Sequence, residues 1–223
     1  MGKIDLEILF EDNHVIAAIK PYGVLSQGDG SDAPDMLSLL KHYIKEKYNK
    51  PGNVFCGLVH RLDRPTAGVM VFARTSKGAS RISASIREKT FNKKYLCVVM
   101  GDILKISDRL SDYLVKNDKT NTSKVVTERT PGAKLAVLEY KLIAKKDDLS
   151  LLEVNLITGR HHQIRVQLKN IGFSLYGDRR YSEFNGRGQL ALWSWSISFP
   201  HPTKKETIEI SAPVPDIYPF NIF

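Results

Sequence analysis

Two apolar runs, Leu135 to Ile143 and Leu149 to Ile157, flank the polar stretch Lys145-Lys146-Asp147-Asp148. Apolar, strand-forming segments around a short charged turn read as a long antiparallel hairpin. A hairpin of that length ties the rest of the chain to a sheet. Ile8-Leu9-Phe10 and Val15 to Ile19 form a second pair of strands across Glu11-Asp12-Asn13, and Lys20-Pro21-Tyr22-Gly23 stops the latter. Gly68 to Ala73, Lys94 to Met100, Leu190 to Phe199 and Thr207 to Ile210 also read as strands.

Helices are expected over residues 35–48, where Met36, Leu40, Tyr43, Ile44 and Tyr48 share one face and Ser31 or Asp32 is available as cap. Two more are expected, from Ser76 as cap to Lys89, and from about His161 to Asn170, closed by Gly172. Helices scattered irregularly among hairpin-linked strands imply an α+β fold, with a mixed, largely antiparallel sheet and flanking helices, rather than a βαβ array. No repeat, low-complexity tract or linker divides residues 1–223, so one domain is expected.

At 223 residues the chain can bury a core without metal or disulfide help. Its net charge of +9 is spread over several clusters: Lys41, Lys45 and Lys47; Arg87, Lys89, Lys93 and Lys94; Arg160, Arg165 and Lys169; Arg179, Arg180 and Arg187. Surplus cations distributed in this way fit a folded basic surface, either for a polyanion such as nucleic acid or simply for solubility. Cys56 and Cys97 lie far apart in apolar stretches, which suits buried free thiols rather than a zinc or redox motif. The start, Met1-Gly2-Lys3-Ile4-Asp5, has no apolar leader and no run reaches membrane-spanning length, so a cytoplasmic protein with no membrane partner is expected.

The stretch richest in chemistry is His60-Arg61-Leu62-Asp63-Arg64-Pro65-Thr66-Ala67-Gly68, which feeds directly into the apolar run Val69 to Phe72. An acid between two arginines, ahead of a Pro/Gly turn, is a carboxylate on a fixed loop in positive surroundings. Flanking guanidinium charge favours its ionised form, as a nucleophile or base requires. On residue types alone, the same residues suit better an aspartate that caps a turn and pairs with Arg64.

The stretch resembles the signature of RluA-type pseudouridine synthases. Lys20-Pro21-Tyr22-Gly23 is similar to that family's K-P-x-G segment, and Lys94-Tyr95-Leu96 to its K-x-Y segment with a register shift. Thr158-Gly159-Arg160-His161-His162-Gln163-Ile164-Arg165 is similar to its T-G-R-x-H-Q-I-R motif. Tyr176-Gly177-Asp178 and Phe199-Pro200-His201-Pro202 also resemble family features, and all occur in family order. The sequence departs from the pattern at Ala67, His161 and Gln167, and around Trp193 and Trp195.

The resemblance implies the pseudouridine synthase catalytic fold with a central active-site cleft, and conversion of a uridine in ribosomal or transfer RNA to pseudouridine without a cofactor or metal. It makes Asp63 the nucleophile, Tyr95 the tyrosine that stacks on the target uracil, and Arg165 the arginine that pairs with the catalytic carboxylate. Arg61 matches an arginine that fills the gap left by the flipped-out uridine. Lys20, His60, Arg64, Arg160, His162 and Gln163 are candidates for substrate or RNA contacts. Many relatives carry an S4-type RNA-binding domain ahead of the catalytic one, and here none is expected. A monomer is the simplest expectation. The rival readings are an idle RNA-binding factor on the same scaffold, and a glycoside hydrolase, which would need a second carboxylate in a comparable motif.

Overall fold

The computed structural model describes residues 5–183, 186 and 188–223. The start at Met1-Gly2-Lys3-Ile4 and the basic residue Arg187 therefore lie outside the described residues. In chain order the elements are β1 (Ile8–Glu11), β2 (Val15–Lys20), α1 (Met36–Lys47), β3 (Gly57–Leu58), β4 (Ala67–Ala73) and α2 (Ser76–Arg87). There follow β5 (Asn92–Met100), β6 (Ser107–Asn117), β7 (Thr122–Val126), β8 (Lys134–Lys146), β9 (Leu149–Leu156), α3 (Gln163–Asn170), β10 (Leu192–Pro200), β11 (Thr207–Ser211) and a short 3-10 helix (Phe220–Ile222). They fall into two compact units, Met1–Asn92 with Ser194–Pro213, and Lys93–Trp193 with Val214–Phe223. No helix among the described residues is long and apolar enough to cross a membrane.

In the first unit the strands run β1-β2-β4-β10, with β3 on β4 and β11 on β10. All seven residues of β4 are buried, as expected for an apolar, β-branched run with strands on both sides. Gly68 at its start has φ +112, and a Cβ there would lie 2.3 Å from the Ser194 carbonyl oxygen. Only glycine admits both that conformation and that approach. Helix α1 buries Met36, Leu40 and Ile44, but its cap is Asp35, which accepts from Ser38 N, not Ser31 or Asp32. The reason is spacing: a capping oxygen must reach the amide two or three residues on, and the helix begins only at Met36. For the same reason Thr75, accepting from Gly78 N, caps α2 in place of Ser76.

The second unit carries the antiparallel ladder β5-β9-β8-β6-β7. The β8–β9 hairpin turns through Asp147 and Asp148, with φ of 51 and 57, between the paired Lys146 and Leu149. Two left-handed residues make the primed turn whose twist matches the strands. The register shifts between Leu142 and Ala144, and Ile143 there is half exposed. Helix α3 ends as expected at Gly172: the Gly172 amide donates to Lys169 O (2.9 Å) and Phe173 N to Leu168 O (2.9 Å), a Schellman closure. Strands β6 and β7 are not evident in the sequence pattern, because β6 buries only Leu110 and Leu114 within a charged run. Both cysteines are buried free thiols, and burial pushes Cys56 up to about 12.

Candidate active site

In the first unit the backbone around Asp63 is held from both sides. The Ser26 hydroxyl accepts from Leu62 N (3.0 Å) and donates to Leu62 O (2.7 Å), while Thr66 N donates to Asp63 O (2.9 Å) and closes the turn after it. Leu62 is buried, Asp63 is half-buried, and Arg61 and Arg64 are exposed. The loop thus presents its acid from a fixed main chain and keeps its two guanidinium groups accessible. Arg64 Nε donates to Gly23 O (3.0 Å), and Gly23 N returns to Arg64 O (3.0 Å). His60 faces inward, accepting from Val71 N at Nε2 (3.0 Å) with its ring against Phe91. That acceptor role puts the ring proton of the neutral imidazole on Nδ1.

Lys20, expected as a substrate or RNA contact, is instead a clamp. It is fully buried, and its ammonium donates to Pro21 O (3.0 Å), Val24 O (2.7 Å) and Arg64 O (3.2 Å). All three protons are spent on carbonyls, so none is left for a phosphate. Burial pushes its pKa down to about 8 against the opposing pull of the Asp63 charge. Lys20→Met is expected to cost about 1–3 kcal/mol, because the carbonyls of Pro21, Val24 and Arg64 lose their donor while the desolvation cost of the ammonium disappears. Turnover should fall about 100-fold as Asp63 shifts from its productive position. Single-turnover rates beside urea unfolding curves check both halves.

In the second unit Tyr95 is buried on β5, paired across the ladder with Val154. Strand alternation places Lys93, not Lys94, on the face of Tyr95. The turn before α3 is tied by Gln163, whose Oε1 accepts from Thr158 Oγ1 (2.8 Å) and Arg160 N (3.0 Å), while its Nε2 donates to Gln167 Oε1 (2.9 Å). Gln163 is 3% exposed with its amide occupied at both ends, so it is a structural brace and not the substrate contact its motif suggests. Gln167, one of the departures from the family pattern, is fully buried and donates to Asp112 (2.7 Å). Arg160 is exposed, with Nε on Leu135 O (2.8 Å).

Arg165 is buried, and Asp178 holds it in a two-pronged pair, Nε to Oδ2 at 2.8 Å and Nη2 to Oδ1 at 2.7 Å. The Asp178 carboxylate also accepts from the amides of Arg180 (3.0 Å) and Tyr181 (3.1 Å). Gly177, φ +76, makes this turn possible, since a Cβ would lie 2.1 Å from Gln189 O. Beside it, Ser123 N donates to the Tyr181 hydroxyl (2.7 Å), which lies 2.7 Å from His162 Nδ1. Using the tyrosine's own proton in that second bond leaves the ring proton of His162 on Nε2. His162 is kept neutral: burial, followed by the charge of Arg165, pushes its pKa down to about 2. Asp178 and Tyr181 had no role in the sequence reading. The signal available was an acid after a glycine turn, followed by two arginines.

The sequence model for RNA pseudouridylate synthase matches residues 14–170, well over half of the chain. The chain belongs to that family. An RNA pseudouridine synthase from Bacillus subtilis is 32% identical over 219 residues, covering 96% of this chain and 70% of its own. A ribosomal large subunit pseudouridine synthase C from Vibrio parahaemolyticus is 30% identical over 222 residues, covering 96% and 67%. The chain thus spans about two thirds of the length of these relatives. Among solved structures, human RNA pseudouridylate synthase domain containing 4 superposes with a TM-score of 0.79 at 22% identity, over 94% of this chain and 88% of the other. That likeness establishes the α+β fold. This RluA-type pseudouridine synthase is therefore an isomerase.

Proposed function

We propose that this synthase isomerises a uridine of ribosomal RNA, with Asp63 as the nucleophile. The observation that carries the reading is the Asp63 loop: a half-buried carboxylate on a backbone pinned at Leu62 and Thr66, between two exposed arginines. Relatives named ribosomal large subunit pseudouridine synthase C or D favour ribosomal over transfer RNA as substrate.

The reaction breaks the bond from N1 to C1′, rotates the uracil and joins C5 to C1′. Electrons and atoms balance within the nucleotide, so no cofactor is called for. Asp63 either adds to C6 of the base and is eliminated after C5 has bonded to C1′, or attacks C1′ of the ribose and is displaced when C5 attacks there. In both routes C5 gives up its proton and N1 gains one. Tyr95 supplies a stacking face for the uracil. Arg165 has the part of the nucleophile's cationic partner, and exposed Arg61 enters the stack where the uridine leaves, recovering part of the cost of flipping. We further infer that the enzyme acts as a monomer in the cytoplasm.

Chemical mapping of pseudouridine across total RNA from cells with and without the gene tests the substrate. Loss of one site in large-subunit RNA is the expected result. Loss of a transfer RNA site would replace the substrate, and loss of none would favour the idle RNA-binding factor.

A further inference from the structure

Lys93 and Lys94 leave β5 on opposite faces and differ in their surroundings. Lys94 is exposed, and its ammonium lies 3.2 Å from the Glu153 carboxylate. Lys93 is half-buried on the face of Tyr95. Burial alone acts on its ammonium, pushing its pKa below the ordinary lysine value, and among the described residues no carboxylate offsets it. The ammonium sits against the exposed turn at Gly159, where a Cβ would lie 3.1 Å from Lys93 Nζ. Gly159 has no left-handed φ, so its conformation does not call for glycine. What a side chain there would crowd is the Lys93 ammonium.

A partly desolvated cation without a counter-charge is costly, and the cost is recovered when an anion arrives. Two residues along a strand separate Lys93 from Tyr95 by about 7 Å, comparable with the distance from a nucleobase to its own phosphate. Exposed Arg160 follows Gly159 directly, so a second cation flanks the same turn. We propose that Lys93 is a phosphate anchor, gripping the backbone phosphate of the nucleotide whose base stacks on Tyr95 and so placing the uracil. Lys93 positions the substrate and takes no part in bond breaking. The inference rests on the reading that RNA is the substrate and Tyr95 its stacking partner.

The test uses the full chain with a single-stranded RNA oligonucleotide carrying the target uridine, and the same oligonucleotide with a neutral methylphosphonate at that nucleotide. Lys93→Met is expected to raise KM and the anisotropy Kd about tenfold, with kcat nearly unchanged, and to reduce the slope of log affinity against log salt by about one phosphate contact. Lys93→Arg should restore most of the affinity. The methylphosphonate should weaken the wild type by a similar factor and cost Lys93→Met nothing more. Wild-type KM should rise as pH climbs through the lowered lysine pKa, and Lys93→Met should lack that rise, which a merely structural residue would not produce. An unchanged salt slope, or a methylphosphonate penalty that persists in Lys93→Met, overturns the anchor. A fall in kcat at constant KM overturns it as well. If the wild type isomerises no RNA, the functional reading fails, while the binding arm still decides the anchor.

Discussion

Asp63→Ala is expected to abolish isomerisation, with a loss of about 10⁴-fold or more in single-turnover rate, and to leave RNA affinity nearly unchanged. The first half follows from the chemistry, because without a carboxylate there is no covalent route that detaches uracil and returns it through C5. The second half follows from the loop. Its fixing bonds, from Ser26 to both backbone groups of Leu62 and from Thr66 N to Asp63 O, do not involve the Asp63 side chain. Arg61 and Arg64 therefore stay where they are in the variant, and removing a negative charge beside them does not weaken a polyanion's hold. Tritium release from uridine-labelled RNA measures the first half and filter binding the second. Retained turnover removes Asp63 as nucleophile, whereas loss of both activity and binding would indicate that the loop had collapsed.

The strands that carry these residues are legible in the sequence for a simple reason. β4 is apolar at nearly every position, and the β8–β9 runs flank a charged turn, so local pattern and tertiary burial agree. Where they disagree the sequence misleads. β6 buries two leucines in a charged run, and its pairing with β7 and β8 is set by register rather than by its own composition. The site divides in the same way. Residue types around Asp63 favour a turn cap over a nucleophile, and only the ordered motifs reverse that preference. Lys20 and Gln163 are among the motif residues expected to contact the substrate, yet both point inward and bond to the scaffold. A sequence shows that such a residue is polar, but which way it faces depends on carbonyls contributed from far along the chain, as Arg64 O is to Lys20. Asp178 escaped for the same cause, since its partner lies 13 residues away on a helix.

Asp178→Ala carries the largest expected loss of stability. Arg165 is 4% exposed and Asp178 1%, and the pair is joined by two charge-assisted bonds. Deleting the acid leaves a buried guanidinium without its counter-charge, at a cost of about 3–5 kcal/mol, a large share of the roughly 5–15 kcal/mol that holds a domain together. Two backbone amides, of Arg180 and Tyr181, lose their acceptor at the same time. The Tyr181 ring lies under the Arg165 guanidinium, 4.9 Å away, and its hydroxyl meets His162, so the disturbance reaches the motif that carries both. Asp178→Asn keeps the shape and one acceptor, and should lose less stability while still lowering turnover through a loosened Arg165. The decisive comparison is Arg165→Met combined with Asp178→Leu. Replacing a buried ion pair by apolar side chains removes the desolvation cost together with the attraction, so the double variant should recover the part of the Asp178→Ala loss that comes from the unpaired guanidinium, but not the part from the Arg180 and Tyr181 amides, and remain inactive. Urea unfolding set beside single-turnover isomerisation gives both readouts. Recovery of activity with stability would mean that Arg165 serves the fold alone, whereas stability without activity separates its two tasks and leaves the guanidinium to the reaction.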